Sequence, residues 1–129
     1  MGDDRGSLVA IESEKDVPFS IERVYYIFGT KEGVERGAHA HKNLRQLAIA
    51  VRGSCTMVLD DGREKTEYLL NDPTQGLLIG SMIWRVMKDF TEDCVLLVFA
   101  DSHYSESDYI RNYPDFLEHL RDTTPDTSK

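Results

Sequence analysis

Short apolar segments, each about as long as one β-strand, recur along this 129-residue chain. They are rich in β-branched and aromatic residues, which favour extended structure. Turn signals separate them: DDGR, where Gly62 can supply a positive φ angle, and NDPTQG. This spacing predicts an antiparallel sandwich or barrel. The predicted strands are SLVAI (7–11), FSIERVYYIF (19–28), QLAIAV (46–51), CTMVLD (55–60), KTEYLL (65–70), GLLIG (76–80), MIWRVM (82–87) and CVLLVF (94–99).

One helix is predicted near the end of the chain. In PDFLEHLRD, Pro114 suits the first helical turn, and Phe116, Leu117 and Leu120 form an apolar stripe. The polar sequence that follows leads us to expect a frayed tail from about 122 to 129. The length is typical of one domain and no repeat or linker divides the chain, so residues 1–129 are predicted to form a single domain.

The charge of the chain narrows its partners. Its formal net charge is −8, which disfavours general binding to nucleic acid or to an anionic membrane. No apolar run is long enough for a membrane span, and MGDDRGSL does not resemble a signal peptide. Cys55 and Cys94 lack metal-type spacing and are predicted to be free thiols. We therefore expect a cytoplasmic protein.

Two predicted strands are apolar on both faces, over residues 47–51 and 95–99. A strand with one buried face would alternate with polar residues. Something must therefore cover the outer face of these strands. We predict a second subunit, in a homodimer; a tightly packed monomeric sandwich is the alternative.

The segment RGAHAHKNLRQLAIAVRG places two histidines two residues apart. Side chains alternate along a strand, so His39 and His41 should point into one cavity. The spacing resembles the first motif of the cupins, H-x-H-x3–4-E-x6-G, with Gln46 at the glutamate position. The second cupin motif fits IGSMIWRVMKDF, with Arg85 at its histidine position. The resemblance implies an all-β fold, a cupin double-stranded β-barrel (jelly roll), here with a short C-terminal helix.

These two exchanges bear on the metal that many cupins hold. A cation would lose a carboxylate and an imidazole and would face a guanidinium, which cannot act as a ligand. We therefore predict no metal and no other cofactor, and histidines that serve in proton transfer. The same pocket suits an anionic or carbonyl-rich ligand. The alternative is that His39 and His41 only line a strand.

The stretches RGSLVAIE, PFSIERVYYIF, RGAHAHKNL, VRGSCTMVLDDG, GLLIGSMIWRVMKDF and SESDYIRNY together resemble the sugar-nucleotide 3,4-ketoisomerases. The resemblance runs from Arg5 to about Phe116. It implies a metal-free cupin that acts on dTDP-4-oxo-6-deoxy-D-glucose and supplies a 3-oxo sugar nucleotide to an aminotransferase. It also implies a homodimer with exchanged N-terminal strands.

The implied reaction moves a ketone from C4 to C3 through an enediol, which needs a base near neutral pKa and a donor at the oxyanion. The resemblance assigns these catalytic roles to His39, His41 and Tyr25. In ERVYYIF, Arg23 and Tyr25 share one face of the strand, as expected for the wall of a polar pocket. A Tyr–Arg pair at the barrel rim is the alternative.

Binding of a diphosphate needs cations, and most of the predicted substrate-binding residues are cationic. Any of these cations could instead form a surface ion pair. Trp84 could stack on a base or sugar, or could belong to the core. Asp108, Tyr109 and Arg111 belong to the C-terminal signature of the family and are predicted to be structural. The predicted substrate-binding residues are Arg5, Arg23, Arg36, Lys42, Gln46, Trp84 and Arg85.

The face on which C4 is reprotonated sets the product. Arg85 is too weak an acid to donate a proton, so a histidine should return the proton to the face it left. This favours the gluco product over the galacto product. Two other functions stay open: a metal-dependent cupin oxygenase or isomerase, and a non-catalytic sugar-binding cupin.

Overall fold

The computed structural model describes residues 6–123. A 3-10 turn at Glu106–Asp108 precedes the last strand. The strands and helix are β1 (Arg23–Phe28), β2 (Arg36–His41), β3 (Gln46–Arg52), β4 (Cys55–Asp60), β5 (Lys65–Leu70), β6 (Leu77–Ile79), β7 (Trp84–Lys88), β8 (Val95–Ala100), β9 (Tyr109–Ile110) and α1 (Tyr113–Thr123).

The strands form two antiparallel sheets, in the orders β1-β8-β3-β6 and β5-β4-β7-β2-β9. The inner faces enclose the main core, to which Ala48 and Leu96 contribute from one sheet and Met57 and Met87 from the other. The thiols of Cys55 and Cys94 are free and buried in this core. The predicted jelly-roll fold is therefore confirmed.

The outer face of the four-stranded sheet is covered only in part by the chain itself. Residues 11–21 cross it, and Val17 and Phe19 pack on Ile49 of β3 and Phe99 of β8. This segment therefore covers outward-facing apolar residues of β3 and β8, the two strands that the sequence shows to be apolar on both faces. At the β1 edge, Val24, Tyr26 and Phe28 remain exposed. The homodimer is not tested by a single chain and stays a prediction.

The N-terminal strands differ from their predicted bounds. Residues 7–11 form no strand in the described chain, and the strand expected over 19–28 begins only at Arg23. A strand needs a neighbour for its backbone groups. Residues 13–21 instead fold into a loop held by Ser13, whose hydroxyl accepts from Ile21 N at 2.9 Å and donates to Phe19 O at 3.3 Å.

The C-terminal helix was predicted correctly. Asn112 caps it, because its side chain accepts from Asp115 N at 3.1 Å. Phe116 is fully buried, and Leu117 and Leu120 pack beside it. The expected frayed tail lies mostly outside the described residues. Among residues 6–123, no helix has the length and apolarity needed to cross a bilayer.

Candidate active site

A β-bulge in β2 presents the two histidines. The register against β7 shifts between Arg36 and His39, where Gly37 has a φ of 77°. Bulges of this kind re-aim the side chains that follow. The rings of His39 and His41 meet edge to face with their centroids 4.8 Å apart. The two histidines therefore contact each other, as their spacing along one strand leads us to expect.

A cleft of about 380 Å³ opens beside this pair. His39 reaches the cleft, whereas His41 lies behind it and is buried. Four residues that the sequence predicted as site residues thus meet at one opening: Arg23, Tyr25, Arg36 and His39. The remaining lining residues are Val24, Ile27, Gly37, Met87, Tyr109 and Arg111.

A buried hydrogen-bond chain runs from Arg85 to Tyr25. Arg85 Nη1 donates to Gln46 Oε1, and Gln46 Nε2 donates to Tyr25 Oη at 2.9 Å. A guanidinium has no acceptor, so Gln46 must turn its oxygen to Arg85 and its amide nitrogen to Tyr25. The Tyr25 oxygen therefore accepts, and its own proton is left to donate elsewhere. Burial raises the pKa of Tyr25, so the hydroxyl keeps that proton near neutral pH.

Both histidines are neutral near pH 7. Burial, and next the charge of Arg85, lower the pKa of His39 and of His41 to about 3. Arg85 itself is buried, which lowers its pKa to about 10 and leaves it charged at neutral pH. A neutral imidazole accepts a proton. A substrate that brings phosphate charge into the cleft would raise both histidine pKa values toward the range useful to a base.

Trp84, predicted to contact substrate, does not reach the cleft. It precedes Arg85 on β7, so the alternation of side chains points it to the opposite face of the sheet. There its ring lies 5.3 Å from Tyr113 and 5.8 Å from Phe116, centroid to centroid. This packing agrees with the alternative that Trp84 belongs to the core rather than with substrate stacking, and Trp84 anchors helix α1.

Three other residues are predicted to contact the substrate: Lys42, Gln46 and Arg5. The first two are not among the described residues that line the cleft. Lys42 is exposed and borders a different hollow, beside Asn43 and His103, so its predicted place at the cleft is wrong. Gln46 is buried and is bonded at both ends of its amide, which suits it to hold Tyr25 rather than to contact a substrate. Arg5 lies outside the described residues.

Tyr109 and Arg111 are site residues that the sequence analysis took as structural. The Tyr109 ring centroid lies 5.0 Å from that of His39 and 4.4 Å from that of His41. The Arg111 guanidinium stacks over Tyr109 at 4.2 Å. Strand β9 has only two residues, too few for a periodic pattern. The resemblance supplied the signal, because both residues stand in SESDYIRNY.

Three arginines line the cleft, Arg23, Arg36 and Arg111, which suits it to an anion, whereas Arg85 is buried and does not line it. Arg23 lies between two aromatic rings, 5.3 Å from the centroid of Tyr25 and 5.8 Å from that of Tyr104. Among the described residues, the buried nitrogens Arg23 Nε and Arg85 Nε have no hydrogen-bond partner. Such donors usually meet a ligand or water. A larger cleft of about 690 Å³, lined in part by Glu32, Asp89 and Glu92, is unsuited to an anion.

The donor set does not fit a divalent cation. Within residues 6–123, no group of three or more His, Cys, Asp and Glu side chains could hold a metal ion. Gln46 Oε1, the oxygen that would complete a site with the two histidines, already accepts from Arg85.

Sequence and structure comparisons identify the family. A family model described as FdtA, WxcM-like, C-terminal, matches residues 1–121. A TDP-4-oxo-6-deoxy-alpha-D-glucose-3,4-oxoisomerase of Aneurinibacillus thermoaerophilus is 51% identical over 118 residues, 92% of this chain and 85% of that protein. The chain belongs to the sugar-nucleotide 3,4-ketoisomerase family. The resemblance drawn from the sequence is thereby confirmed.

Solved structures of ketoisomerases share the fold closely. The QdtA 3,4-ketoisomerase of Thermoanaerobacterium thermosaccharolyticum, a His-to-Asn variant in complex with TDP-4-keto-6-deoxyglucose, is 44% identical with a TM-score of 0.92. It matches over 95% of this chain and 89% of its own. The WlaRB TDP-quinovose 3,4-ketoisomerase of Campylobacter jejuni is 51% identical with a TM-score of 0.87, over 92% and 91%.

Proposed function

We propose that this chain is a single-domain isomerase that converts dTDP-4-oxo-6-deoxy-D-glucose into a dTDP-3-oxo-6-deoxyhexose, the precursor that an aminotransferase would turn into a 3-amino sugar. The observation that carries the proposal is the arrangement at the cleft. Neutral His39 and the donor Tyr25 line one cleft together with Arg23, Arg36 and Arg111, and His41 lies in contact with His39. This arrangement suits proton transfer on a carbonyl sugar attached to a diphosphate.

The chemistry needs only proton transfers. The C4 carbonyl acidifies the C3 hydrogen, and a neutral imidazole of His39 or His41 takes it as a proton. The C3–H electron pair becomes the C3=C4 double bond, and the C4 oxygen gains negative charge, which the free Tyr25 hydroxyl stabilises by donating a hydrogen bond. The C4 oxygen takes up a proton to give the enediol. C4 then gains a proton as the C3 hydroxyl loses one, and the proton released from the C3 oxygen replaces the one taken up by the C4 oxygen. Atoms and electrons balance without a redox partner.

The favoured product has the gluco configuration at C4. Arg85 stays charged near neutral pH and is too weak an acid to protonate carbon. The C3 hydrogen of the substrate and the C4 hydrogen of the gluco product lie on opposite faces of the ring. The gluco product therefore needs protonation of C4 from the face opposite the histidine that takes the C3 proton, and a return to the same face, as expected from the sequence, would give the galacto product. The Campylobacter relative named for TDP-quinovose, which has this configuration, supports the choice. The coupling constants around C4 of the fresh product test it.

The assembly we propose is a homodimer with exchanged N-terminal strands. The exposed apolar edge of β1 and the lack of any strand over residues 7–11 support it. The free thiols and the nucleotide-sugar substrate support a cytoplasmic location.

The deciding experiment is incubation with dTDP-4-oxo-6-deoxyglucose in D₂O, followed by NMR. A ketoisomerase forms the 3-oxo sugar and incorporates deuterium at C4. A sugar-binding cupin would bind the compound and exchange no carbon-bound hydrogen, which would refute the proposal. Activity that is lost on treatment with EDTA and restored by one cation would favour the metal-dependent alternative.

A further inference from the structure

A carboxylate contacts one of the two histidines. Asp108 Oδ2 lies 3.2 Å from His41 Nδ1, and the two side chains are 16% and 2% exposed. Asp108 ends the 3-10 turn that leads into β9, and β9 pairs with β2 at His41 itself. Within residues 6–123, neither histidine has another carboxylate within ion-pair distance.

The carboxylate is fixed by the turn that it faces. Asp108 Oδ1 accepts from Asn43 N at 2.9 Å, and Oδ2 accepts from Leu44 N at 3.3 Å as well as facing His41. The backbone oxygen of Asp108 accepts from Lys42 N at 2.9 Å. Three backbone donors therefore hold Asp108 in place, so it orients the imidazole rather than following it.

The hydrogen bond to Asp108 determines which ring nitrogen of His41 carries the hydrogen. An ionised carboxylate only accepts, so His41 Nδ1 must carry the hydrogen and Nε2 must carry the lone pair. When Nε2 takes up a proton, the positive ring lies next to a fixed negative charge. The surrounding arginines have the opposite effect, and His39 has no such carboxylate among the described residues.

We propose that Asp108 is a positioning residue that holds His41 in the Nδ1–H tautomer and balances its charge during proton transfer. The inference deepens the proposed ketoisomerase reaction and rests on it. It makes His41 the member of the pair whose positive charge a fixed carboxylate can balance, while His39 faces the cleft. Asp108 contacts no reacting atom.

The test replaces Asp108→Asn in the full chain and measures kcat with dTDP-4-oxo-6-deoxyglucose. An amide can present its NH₂ to His41 and favour the other tautomer, so we expect kcat to fall by about 10²–10³-fold. The dissociation constant of dTDP should change by less than about threefold. Imidazole ¹⁵N NMR should show the hydrogen of His41 moving from Nδ1 to Nε2.

The matched control is Asp101→Asn. Asp101 also fixes this turn, accepting from Arg45 N and from Arg45 Nε, both at 3.0 Å, but within residues 6–123 it forms no hydrogen bond or ion pair with a histidine. Its kcat should stay within about threefold of the parent. An equal loss in both variants would assign the effect to the turn and overturn the proposal.

A double-mutant cycle covers the case in which Asp108→Asn also destabilises the fold. If Asp108 acts through His41, the Asp108→Asn substitution should lower kcat little further in a chain that already carries His41→Gln. The same loss in both backgrounds would overturn the proposal. The NMR measurement separates it from the proposed function: a tautomer change in a chain with no ketoisomerase activity would refute only the reaction, and an unchanged tautomer would refute the positioning role.

Discussion

Arg85 carries donors and no acceptor, and this property orients the polar groups between it and the cleft. Gln46 must accept from Arg85 and so donates to Tyr25. A glutamate at position 46 would accept from both. A single amide thus decides whether the Tyr25 proton points toward a substrate or toward the protein.

We therefore predict that Gln46→Glu, a nearly isosteric change, lowers kcat by about 10²-fold or more, because the carboxylate captures the Tyr25 proton and removes the oxyanion donor. Steady-state kinetics measure the loss. Gln46→Met is the control, because its side chain neither donates nor accepts strongly and so cannot capture the Tyr25 proton. Activity near the parent level in Gln46→Glu would show that the direction of this hydrogen bond does not matter.

The histidine pair supplies the second prediction at this scale. His39→Asn removes the group that faces the cleft while keeping a polar side chain, so kcat should fall by about 10²–10⁴-fold. His41→Asn should also be damaging. Calorimetry should show dTDP binding intact. The control is His103→Asn, since His103 is exposed beside Glu22 on the surface. Near-full turnover in both site variants would refute the catalytic assignment.

Burial of the same histidines makes stability depend on pH. Their pKa is about 3 in the folded chain and 6.5 as the ordinary value, so below pH 6.5 the unfolded chain binds more protons. Stability is therefore full above pH 6.5 and falls as the pH drops. The groups whose charge or burial bears on the pair are Arg23, Arg85, Asp108, Tyr109 and Arg111.

Urea unfolding at about pH 7 and about pH 5 measures this dependence. The free energy of unfolding should be lower at pH 5. His41→Gln should flatten the change, because one titrating group is removed, whereas His103→Gln should leave it nearly as steep. Carboxylates such as Glu106, whose pKa falls to about 2 beside Arg111, lose their charge only at more acidic pH. Equal stability at the two pH values would contradict the prediction.

At the scale of elements, the bulge in β2 links a glycine to the chemistry. Gly37 has a φ of 77°, and a Cβ there would meet Met87 Cε at 2.6 Å. Gly33 has a φ of 82° with no atom within 4 Å. Both glycines have a positive φ angle at which a side chain would be strained, but only Gly37 lies in the strand that carries the histidines.

Gly37→Ala and Gly33→Ala should each cost about 1–3 kcal/mol of unfolding free energy, because alanine is strained at these angles. Only Gly37→Ala should also lower kcat, by roughly tenfold or more, since a small shift of positioned groups is costly to rate. Thermal unfolding and kinetics on the same samples check this. Equal kcat in the two variants would show that the bulge does not position the pair.

Features that depend on local sequence patterns were predictable, whereas features that depend on tertiary packing were not. The histidine pair was predictable because strand alternation and motif spacing are local properties. The sequence left open whether Trp84 stacks on a substrate or belongs to the core, because which face of β7 is inner depends on tertiary packing, and Arg85 takes that inner face. Strand β9 was missed because two residues carry no period. Residues 7–11 have the composition of a strand but no partner within the described chain.

At the scale of the whole molecule, β1 contributes to two surfaces: one face lines the cleft and the other is exposed at the edge of the sheet. Its inner face carries Arg23 and Tyr25 at the cleft, and its outer face leaves Val24, Tyr26 and Phe28 exposed. An apolar stripe of this kind usually marks an interface. A partner subunit bound to this stripe would fix the position of β1, which forms one wall of the site. Activity would then depend on dimer formation.

We predict that the protein sediments as a dimer, at twice the chain mass of 14.7 kDa, and that Tyr26→Lys shifts it toward the monomer, because a buried, unpaired ammonium is costly at an interface. Leu69→Lys is the matched control: Leu69 and Tyr26 are both 62% exposed, but Leu69 lies on β5 in the other sheet. It should leave the dimer intact. Sedimentation velocity at several concentrations decides. A monomeric parent, or a Tyr26→Lys variant as dimeric as the control, would place the interface elsewhere or remove it, and the outer face of β1 would then need another explanation.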